Sequence, residues 1–207
     1  MRKLLFLLSM LLVLPIQAQR NEDDKYLAGA VPVNEAGYVE FKKTYKVRNK
    51  SQAEIYHLLK EYTQREIVEG ENHLPQARIT EADSMKGVIA ASMEEYLYFK
   101  RKAWTMDRVR FYYQLVYEVS DSTFTVTMRN LHYLYDDVPS PSDYRAEDWI
   151  TDAEALNKDQ TKLTRVAGKF RKFTIDRKNE IFLGAARAVG AVRKVVRYVE
   201  EESETVE

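Results

Sequence analysis

The sequence contains no cysteine among its 207 residues. Disulfide bonds and thiol catalysis are therefore excluded, and the stability of the fold must come from packing alone. The absence of cysteine also excludes the lipid-modified N-terminus of a bacterial lipoprotein.

Histidine is scarce, and the common motifs of enzyme active sites are missing. The three histidines, His57, His73 and His132, do not have the spacing of metal ligands on one element. There is no glycine-rich phosphate loop and no G-x-S-x-G nucleophile motif. The sequence therefore predicts no catalytic, cofactor-binding or metal-binding residue, and it favours a protein that is not an enzyme.

The chain also lacks an excess of charge of either sign. Lys and Arg together number 32, as do Asp and Glu. A chain with this balance is not drawn to nucleic acid by its overall charge, so we expect no nucleic-acid partner.

The one long apolar run lies at the N-terminus. Met1, Arg2 and Lys3 provide a positive start, an apolar stretch follows over 4–16, and small Ala18 stands where a signal peptidase would cut. The run is shorter than the roughly 20 residues that span a bilayer as a helix. This pattern predicts a secretory signal peptide and export, with a retained membrane anchor as the alternative.

Alternating apolar and polar residues predict an antiparallel sheet. The alternation begins at Tyr38, returns over 88–99, and is clearest over 104–119. Ser120 to Ser122 has the composition of a hairpin turn, and the next strand changes its phase near Arg129 and Asn130, as a β-bulge would require. A shorter strand is expected over 77–83.

Two helices accompany these strands. Ser51 and Glu54 have the spacing of a capping box and open a helix with a clean apolar stripe. A second helix is predicted over 159–174, and residues 177–199 are also expected to be helical. The element order is β-α-β-β-β-β-α. We expect an α+β fold in which the helices cover one face of a single sheet and leave the other face open.

The chain divides into five predicted segments. These are a signal peptide over 1–18, a polar leader over 19–25, an α+β domain over 26–176, an amphipathic tail helix over 177–199 and an acidic, disordered end over 200–207.

Three stretches resemble a known family. The segments YLAGAVPV, EEYLYF and AEDWITDAEALNKDQTKLTRVAGKFRKFTID are similar to secreted proteins of the Bacteroides group known as domain of unknown function 4468, with a fold like that of TATA-binding protein. The resemblance implies a curved antiparallel sheet backed by helices, and export from a Gram-negative bacterium to the periplasm or beyond. It implies no activity, cofactor or catalytic residue, and the shared architecture does not imply DNA binding.

The open sheet face is the best candidate for binding. Tyrosine rings offer contact area at small entropic cost, and arginines offer forked donors, so such a face suits a peptide, a glycan or another envelope component. An ordinary solvated sheet is the alternative. Threonines 44, 125 and 127 are expected on the same face. The candidate binding residues are Lys42, Lys46, Tyr96, Tyr98, Arg108, Arg110, Tyr112 and Gln114.

Glu94 and Glu95 suggest a second hypothesis, a hydrolase of an envelope or dietary polymer. Alternation places Glu95 on the apolar face, where a carboxylate needs a partner or an upward shift of its pKa. Lys43 interrupts the apolar side of the first strand in the same manner, so it is a candidate partner for Glu95. A structural ion pair, or a bulge that turns Glu95 outward, is the favoured interpretation.

Two charged regions complete the candidates. Residues 136–154 hold seven acidic side chains that suit calcium, although they lack the EF-hand spacing, and charge complementarity with the basic segment that follows is preferred. Residues 177–199 form a basic amphipathic pattern that suits contact with a membrane surface, packing on the domain itself, or a homodimer.

Overall fold

A single antiparallel sheet forms the centre of the fold. The computed structural model describes residues 22–102, 104–135 and 142–192. The predicted signal peptide and the acidic end lie outside these residues. The strands are β1 (Glu40–Lys46), β2 (Arg78–Asp83), β3 (Val88–Lys102), β4 (Thr105–Ser120), β5 (Thr123–Tyr135) and β6 (Ser142–Arg145). The helices are α1 (Gln52–Tyr62), α2 (Asp152–Ala155) and α3 (Ala167–Ala188), with a 3₁₀ turn at Glu22–Tyr26 and a π-helical turn at Thr63–Val68.

The strand order across the sheet is β1-β5-β4-β3-β2, and β6 also pairs with β5. Because β4 occupies one edge of β5, β1 and β6 share the other edge, β1 along 123–129 and β6 along 132–135. The strand β6 was not among the strands predicted from the sequence. It is only four residues long and polar in sequence, so it carries no alternating apolar signal.

The predicted alternation of β4 is confirmed, because every second side chain of this strand is buried. These side chains face the helical layer and belong to Val109, Phe111, Tyr113, Leu115, Tyr117 and Val119. The Phe111 ring stacks on Tyr133 of β5 with centroids 5.2 Å apart, and Phe170 of α3 meets Tyr133 edge-on at 5.2 Å. Both α1 and α3 contact this face of the sheet, as expected.

Ser51 begins α1 as predicted. Its hydroxyl accepts a hydrogen bond from the Glu54 backbone N–H at 3.3 Å, and the Glu54 carboxylate accepts from the Ser51 backbone N–H at 2.8 Å. These two bonds satisfy backbone groups that a helix start leaves without partners. The backbone hydrogen bond from Ser51, and then its hydroxyl, lower the pKa of Glu54.

The last helix differs from the prediction at its start. The predicted helix over 159–174 is wrong over 159–166, since α3 begins only at Ala167. The Asn157 side chain accepts hydrogen bonds from the backbone N–H groups of Thr161 and Lys162, both at 2.9 Å, and Gln160 has a φ of 55°. These hydrogen bonds hold residues 157–162 in a turn instead of a helix, so α3 begins only after them.

The same helix then runs on without interruption across residues 176 and 177, where a separate tail helix was expected to begin. Glycine is needed at position 184 inside this helix, because a Cβ there would stand 2.1 Å from the Tyr62 hydroxyl oxygen of α1. Most apolar residues of the tail through Val189, among them Ile181, Phe182 and Ala185, are buried against the domain, whereas Leu183 is exposed. This packing favours the self-packing interpretation. Membrane contact or a homodimer through 177–199 stays a prediction, and residues 193–199 lie outside the described part.

Buried Arg171 attaches the N-terminal segment to α3. Its guanidinium donates to the backbone oxygens of Tyr26 at 2.6 Å, Leu27 at 2.6 Å and Ile150 at 2.9 Å, and it lies 2.7 Å from an Asp152 carboxylate oxygen. Four acceptors therefore compensate the burial of this charge, and the N-terminal segment becomes part of the fold.

Candidate functional site: the open sheet face

The sheet face opposite α1 and α3 is not covered by any helix among the described residues. The eight candidate residues are all at least partly exposed on it. Lys42 and Lys46 are exposed, whereas the six on β3 and β4 are half-buried by one another. Thr127 belongs to this face by register but is buried.

The structure divides the candidate residues into two groups. Six lie on the neighbouring strands β3 and β4, where Tyr96 is opposite Arg110 and Tyr98 is opposite Arg108. Lys42 and Lys46 lie on β1, separated from β3 by two strands, or about 14 Å at the usual strand spacing. Lys42 instead pairs with Glu118, Nζ to Oε2, at 3.9 Å. The central cluster on β3 and β4 is therefore the candidate site, and the β1 lysines lie at its margin.

Arginine side chains lie over tyrosine rings in this cluster. The guanidinium carbon of Arg108 is 3.9 Å from the centroid of the Tyr96 ring, and that of Arg101 is 4.9 Å from the Tyr98 ring. The two tyrosine rings are 6.0 Å apart. Such cation–π contacts hold the guanidinium groups flat against the sheet and reduce the entropy that they would lose on binding a partner.

Beside these pairs, a row of three side chains crosses the sheet, formed by Glu94, Tyr112 and His132. The Tyr112 hydroxyl donates to the Glu94 carboxylate at 3.0 Å, and Arg110 lies 3.5 Å from the same oxygen. The Tyr112 ring stacks on His132 of β5, with centroids 4.5 Å apart and planes 2° from parallel. Burial, and then the hydrogen bond to Glu94, raise the pKa of Tyr112. The site therefore contains one carboxylate held by its neighbours.

The predicted bulge in β5 is confirmed. The pairing with β4 shifts between Tyr112 and Gln114, and Asn130 has a left-handed φ of 55°. Two shallow depressions, of about 390 Å³ and 280 Å³, meet at the bulge and share Asn130 and His132. The first also borders on Ser92 and Gln114. The bulge thus adds a polar recess to the otherwise flat cluster.

Two residues of this site, Glu94 and His132, were not among the predicted binding residues. Alternation from Tyr96 would have placed Glu94 on the open face. The position of His132 depends on the bulge, because a strand without the bulge would point this side chain towards the helices.

Glu95 lies on the other face of the sheet and is 1% exposed. It accepts hydrogen bonds from Arg177 of α3 at 2.8 and 2.7 Å and from the Tyr113 hydroxyl at 3.1 Å. The expected structural ion pair is therefore confirmed, but the predicted partner is wrong, because Lys43 is exposed and lies 4.9 Å over the Tyr45 ring instead.

Burial alone would lower the pKa of Arg177, but the hydrogen bonds and the charge of Glu95 outweigh burial and raise it. Burial, and then the charge of Glu95, raise the pKa of the Tyr113 hydroxyl. Because Glu94 and Glu95 lie on opposite faces of β3, their carboxylates cannot act together on one bond.

Two of the described acidic residues of 142–154 are bonded to the protein itself. Asp152 accepts from the backbone N–H of Gly29 at 2.8 Å and pairs with Arg171, and Glu147 accepts from the Val39 N–H at 2.8 Å. Asp136 and Asp137 lie outside the described residues. Over the described ranges, no three acidic or histidine side chains converge as metal ligands would.

None of the described helices has both the length and the apolar character needed to cross a bilayer.

Comparison with known proteins agrees with this fold. The model of a domain of unknown function with a TBP-like fold, DUF4468, matches residues 41–134. A crystal structure of a DUF4468 family protein from Bacteroides ovatus is 34% identical, covers 82% of this chain and 96% of its own, and superposes with a TM-score of 0.74.

A TBP-like protein from Parabacteroides distasonis is 17% identical, covers 77% of this chain and 97% of its own, and has a TM-score of 0.61, which shows the shared fold. No curated protein matches the chain. Because the family model matches most of the sheet and a family member of this identity and coverage shares the fold, the chain belongs to the DUF4468 family, a family of unknown function.

Proposed function

We propose that this protein is a non-enzymatic binding module of the bacterial cell envelope, and that its partner binds across the central cluster of the open sheet face. The observation that supports the proposal is the position of α1 and α3, which pack on one side of the sheet. They leave the arginine and tyrosine side chains of β3 and β4 accessible on the other.

The charge of the cluster favours an acidic partner. Among the described residues it has three guanidinium groups: Arg110 lies 3.5 Å from the Glu94 carboxylate, Arg101 pairs with exposed Glu71 at 2.7 Å, and Arg108 lies over the Tyr96 ring. Each forked guanidinium can bind a carboxylate or a phosphate with two hydrogen bonds. The flat tyrosine rings and the polar recess at Asn130 add contact area for sugar rings or for an extended peptide. An acidic glycan or an acidic peptide of the envelope is therefore the partner that this chemistry suits.

Replacing Tyr98, Arg110 and Tyr112 together by Ala tests the proposal. Binding would be measured by affinity electrophoresis in gels containing polygalacturonate, poly-glutamate or neutral dextran, and by pull-down from envelope extracts. We expect the wild-type protein to be retarded by an acidic polymer and not by dextran, and the triple variant to lose this retardation.

A matched control variant carries three Ala replacements on the solvent side of α1 and of the π-helical turn that follows it, at Lys60, Glu61 and Arg65, and should bind as the wild type does. Far-UV circular dichroism would show that both variants are folded. Undiminished binding of the triple sheet-face variant, or no retardation of the wild type by either acidic polymer, would contradict the proposal.

Export is the second part of the proposal and rests on the composition of residues 1–18. Expression of the full chain in a Bacteroides host, followed by intact-mass analysis of the periplasmic fraction, should give a mature chain that begins at Gln19. A full-length chain that stays in the cytoplasm would contradict it.

A further inference from the structure

The turn between β3 and β4 exposes the largest apolar side chain of the described surface. Trp104 is 97% exposed, and Met106 beside it is 58% exposed. Trp149, in contrast, stacks on Tyr144 at 4.4 Å and meets Phe170 at 5.8 Å. Trp104 and Met106 together form an exposed apolar patch, and such patches mark contact with a protein or a membrane.

Basic side chains surround this tip. Lys100, Arg101 and Lys102 immediately precede the turn, and all three are exposed. The register places Arg101 opposite Met106, and Lys100 and Lys102 opposite Asp107 and Thr105. Side chains alternate across a strand, so the cations lie on both faces of the hairpin.

Among the described residues, the acids near the tip leave it with an excess of positive charge. Asp107 pairs with Lys169, 2.8 Å away, and accepts a hydrogen bond from the Tyr135 hydroxyl at 2.9 Å. Glu71 pairs with Arg101 at 2.7 Å, but both side chains are more than half exposed, so this ion pair is weak in water.

The tip also extends beyond the rest of the sheet. Pairing of β4 with β5 ends at Arg110 and Leu134, and pairing of β3 with β2 ends at Ser92. Within the described residues, 98–102 and 104–108 pair with no third strand and form a two-stranded ribbon, whose base contacts α3 through Phe99 and Asp107. At about 3.3 Å per residue, the ribbon reaches on the order of 15 Å past the last pairing with β5.

We propose that this hairpin tip is a membrane-contacting element. In this arrangement Trp104 and Met106 enter the headgroup region of an anionic bilayer, and the surrounding lysines and arginine bind lipid phosphates. Trp is the residue that prefers the interface between hydrocarbon and water, and basic residues are attracted to anionic leaflets. Cations on both faces of a narrow ribbon match a layer of headgroups that surrounds the inserted tip. A groove on a protein partner would meet one face only.

The sequence provides a direct test, because the chain contains only two tryptophans. In a Trp149→Phe variant, all tryptophan fluorescence comes from Trp104. We expect its emission to move to shorter wavelength, and its quenching by acrylamide to fall, when vesicles of phosphatidylcholine mixed with phosphatidylglycerol are added. Vesicles of phosphatidylcholine alone should have little effect, and added salt should reverse the shift. In the Trp104→Phe variant, where Trp149 is the only reporter, emission should not change.

Co-sedimentation with the same mixed vesicles measures the contribution of each part. Trp104→Ala in the full chain should weaken vesicle binding about tenfold or more, because the apolar contact is lost. Lys100→Ala and Lys102→Ala should each weaken it about fivefold. The double variant Lys158→Ala/Lys162→Ala, which removes two exposed lysines elsewhere, should bind as the wild type does.

Two results would overturn the inference. One is a Trp104 emission that does not respond to anionic vesicles. The other is a response of the same size with neutral vesicles, which would remove the role of the basic residues. The variants used here leave the six candidate residues of β3 and β4 on the open sheet face unchanged, so a failure of this inference would not be a failure of the proposed binding function.

Discussion

Removing one partner of the buried ion pair between Glu95 and Arg177 should cost a large part of the stability of this domain. The Glu95 side chain is 2% exposed and that of Arg177 is 15% exposed. In Arg177→Met, the Glu95 carboxylate keeps the Tyr113 hydroxyl as its donor but loses both hydrogen bonds from the guanidinium. Removing one partner of a buried ion pair typically costs about 3–5 kcal/mol, because the remaining charge is buried without compensation.

The opposite change should cost less. In Glu95→Gln, the neutral amide oxygen can still accept from Arg177, and the guanidinium keeps its contact with exposed Glu180 at 2.8 Å. We expect a loss of about 1–3 kcal/mol for this variant. The double variant Glu95→Gln/Arg177→Met should lose less than the sum of the two single changes, because the two side chains are in contact.

Urea denaturation followed by far-UV circular dichroism would give the free energy of unfolding of each variant. Arg65→Met is the matched control, because it removes the same side chain from an exposed pair with Glu61 and should cost no more than about 1 kcal/mol. An Arg177→Met variant within about 1 kcal/mol of the wild type, or strictly additive losses in the double variant, would refute the reasoning.

Three further predictions concern the helices. Gly184→Ala should destabilise the domain by about 1–3 kcal/mol, since the new methyl group would meet the Tyr62 hydroxyl; Tyr62→Phe should recover part of this loss in urea denaturation, and full additivity would contradict the clash. Arg171→Met should expose the N-terminal segment to limited proteolysis and lower the thermal midpoint by several degrees; protease resistance equal to that of the wild type would show that the four guanidinium contacts are dispensable. Ser51→Ala should raise the pKa of Glu54 towards its ordinary value in an NMR titration. Because a depressed carboxyl pKa stabilises the fold above the unfolded-state pKa, the variant should be less stable than the wild type at pH 7 and closer to it near pH 3. A Glu54 titration that the substitution leaves unchanged would contradict the capping box.

Much of the sheet could be predicted because one of its faces is buried by helices. The alternation of β4 separates buried from exposed positions, so a period of two is visible from Val109 to Val119. The change of phase near Asn130 marked the bulge for the same reason. The capping box of Ser51 and Glu54 could be found because its hydrogen bonds join residues only three positions apart.

Contacts between distant residues were not accessible in this way. The partner of Glu95 is 82 positions away, and it depends on the rotation of α3 over the sheet. Lys43 interrupts the apolar pattern in the same manner as Glu95, yet it reaches solvent at the edge strand. The start of α3 depends on Asn157, whose side chain is compatible with either a turn or a helix. Only the turn allows the backbone of Leu163 to pair with that of Leu156.

The attachment of the N-terminal segment by Arg171 also has a consequence for the order of assembly. The carbonyl groups of Tyr26 and Leu27 are among the first of the domain to leave the ribosome, yet the guanidinium that holds them follows about 145 positions later. A nascent chain of this protein therefore cannot complete its native contacts until α3 has been synthesised. Any chain that stops before this helix lacks the residue that fastens its beginning.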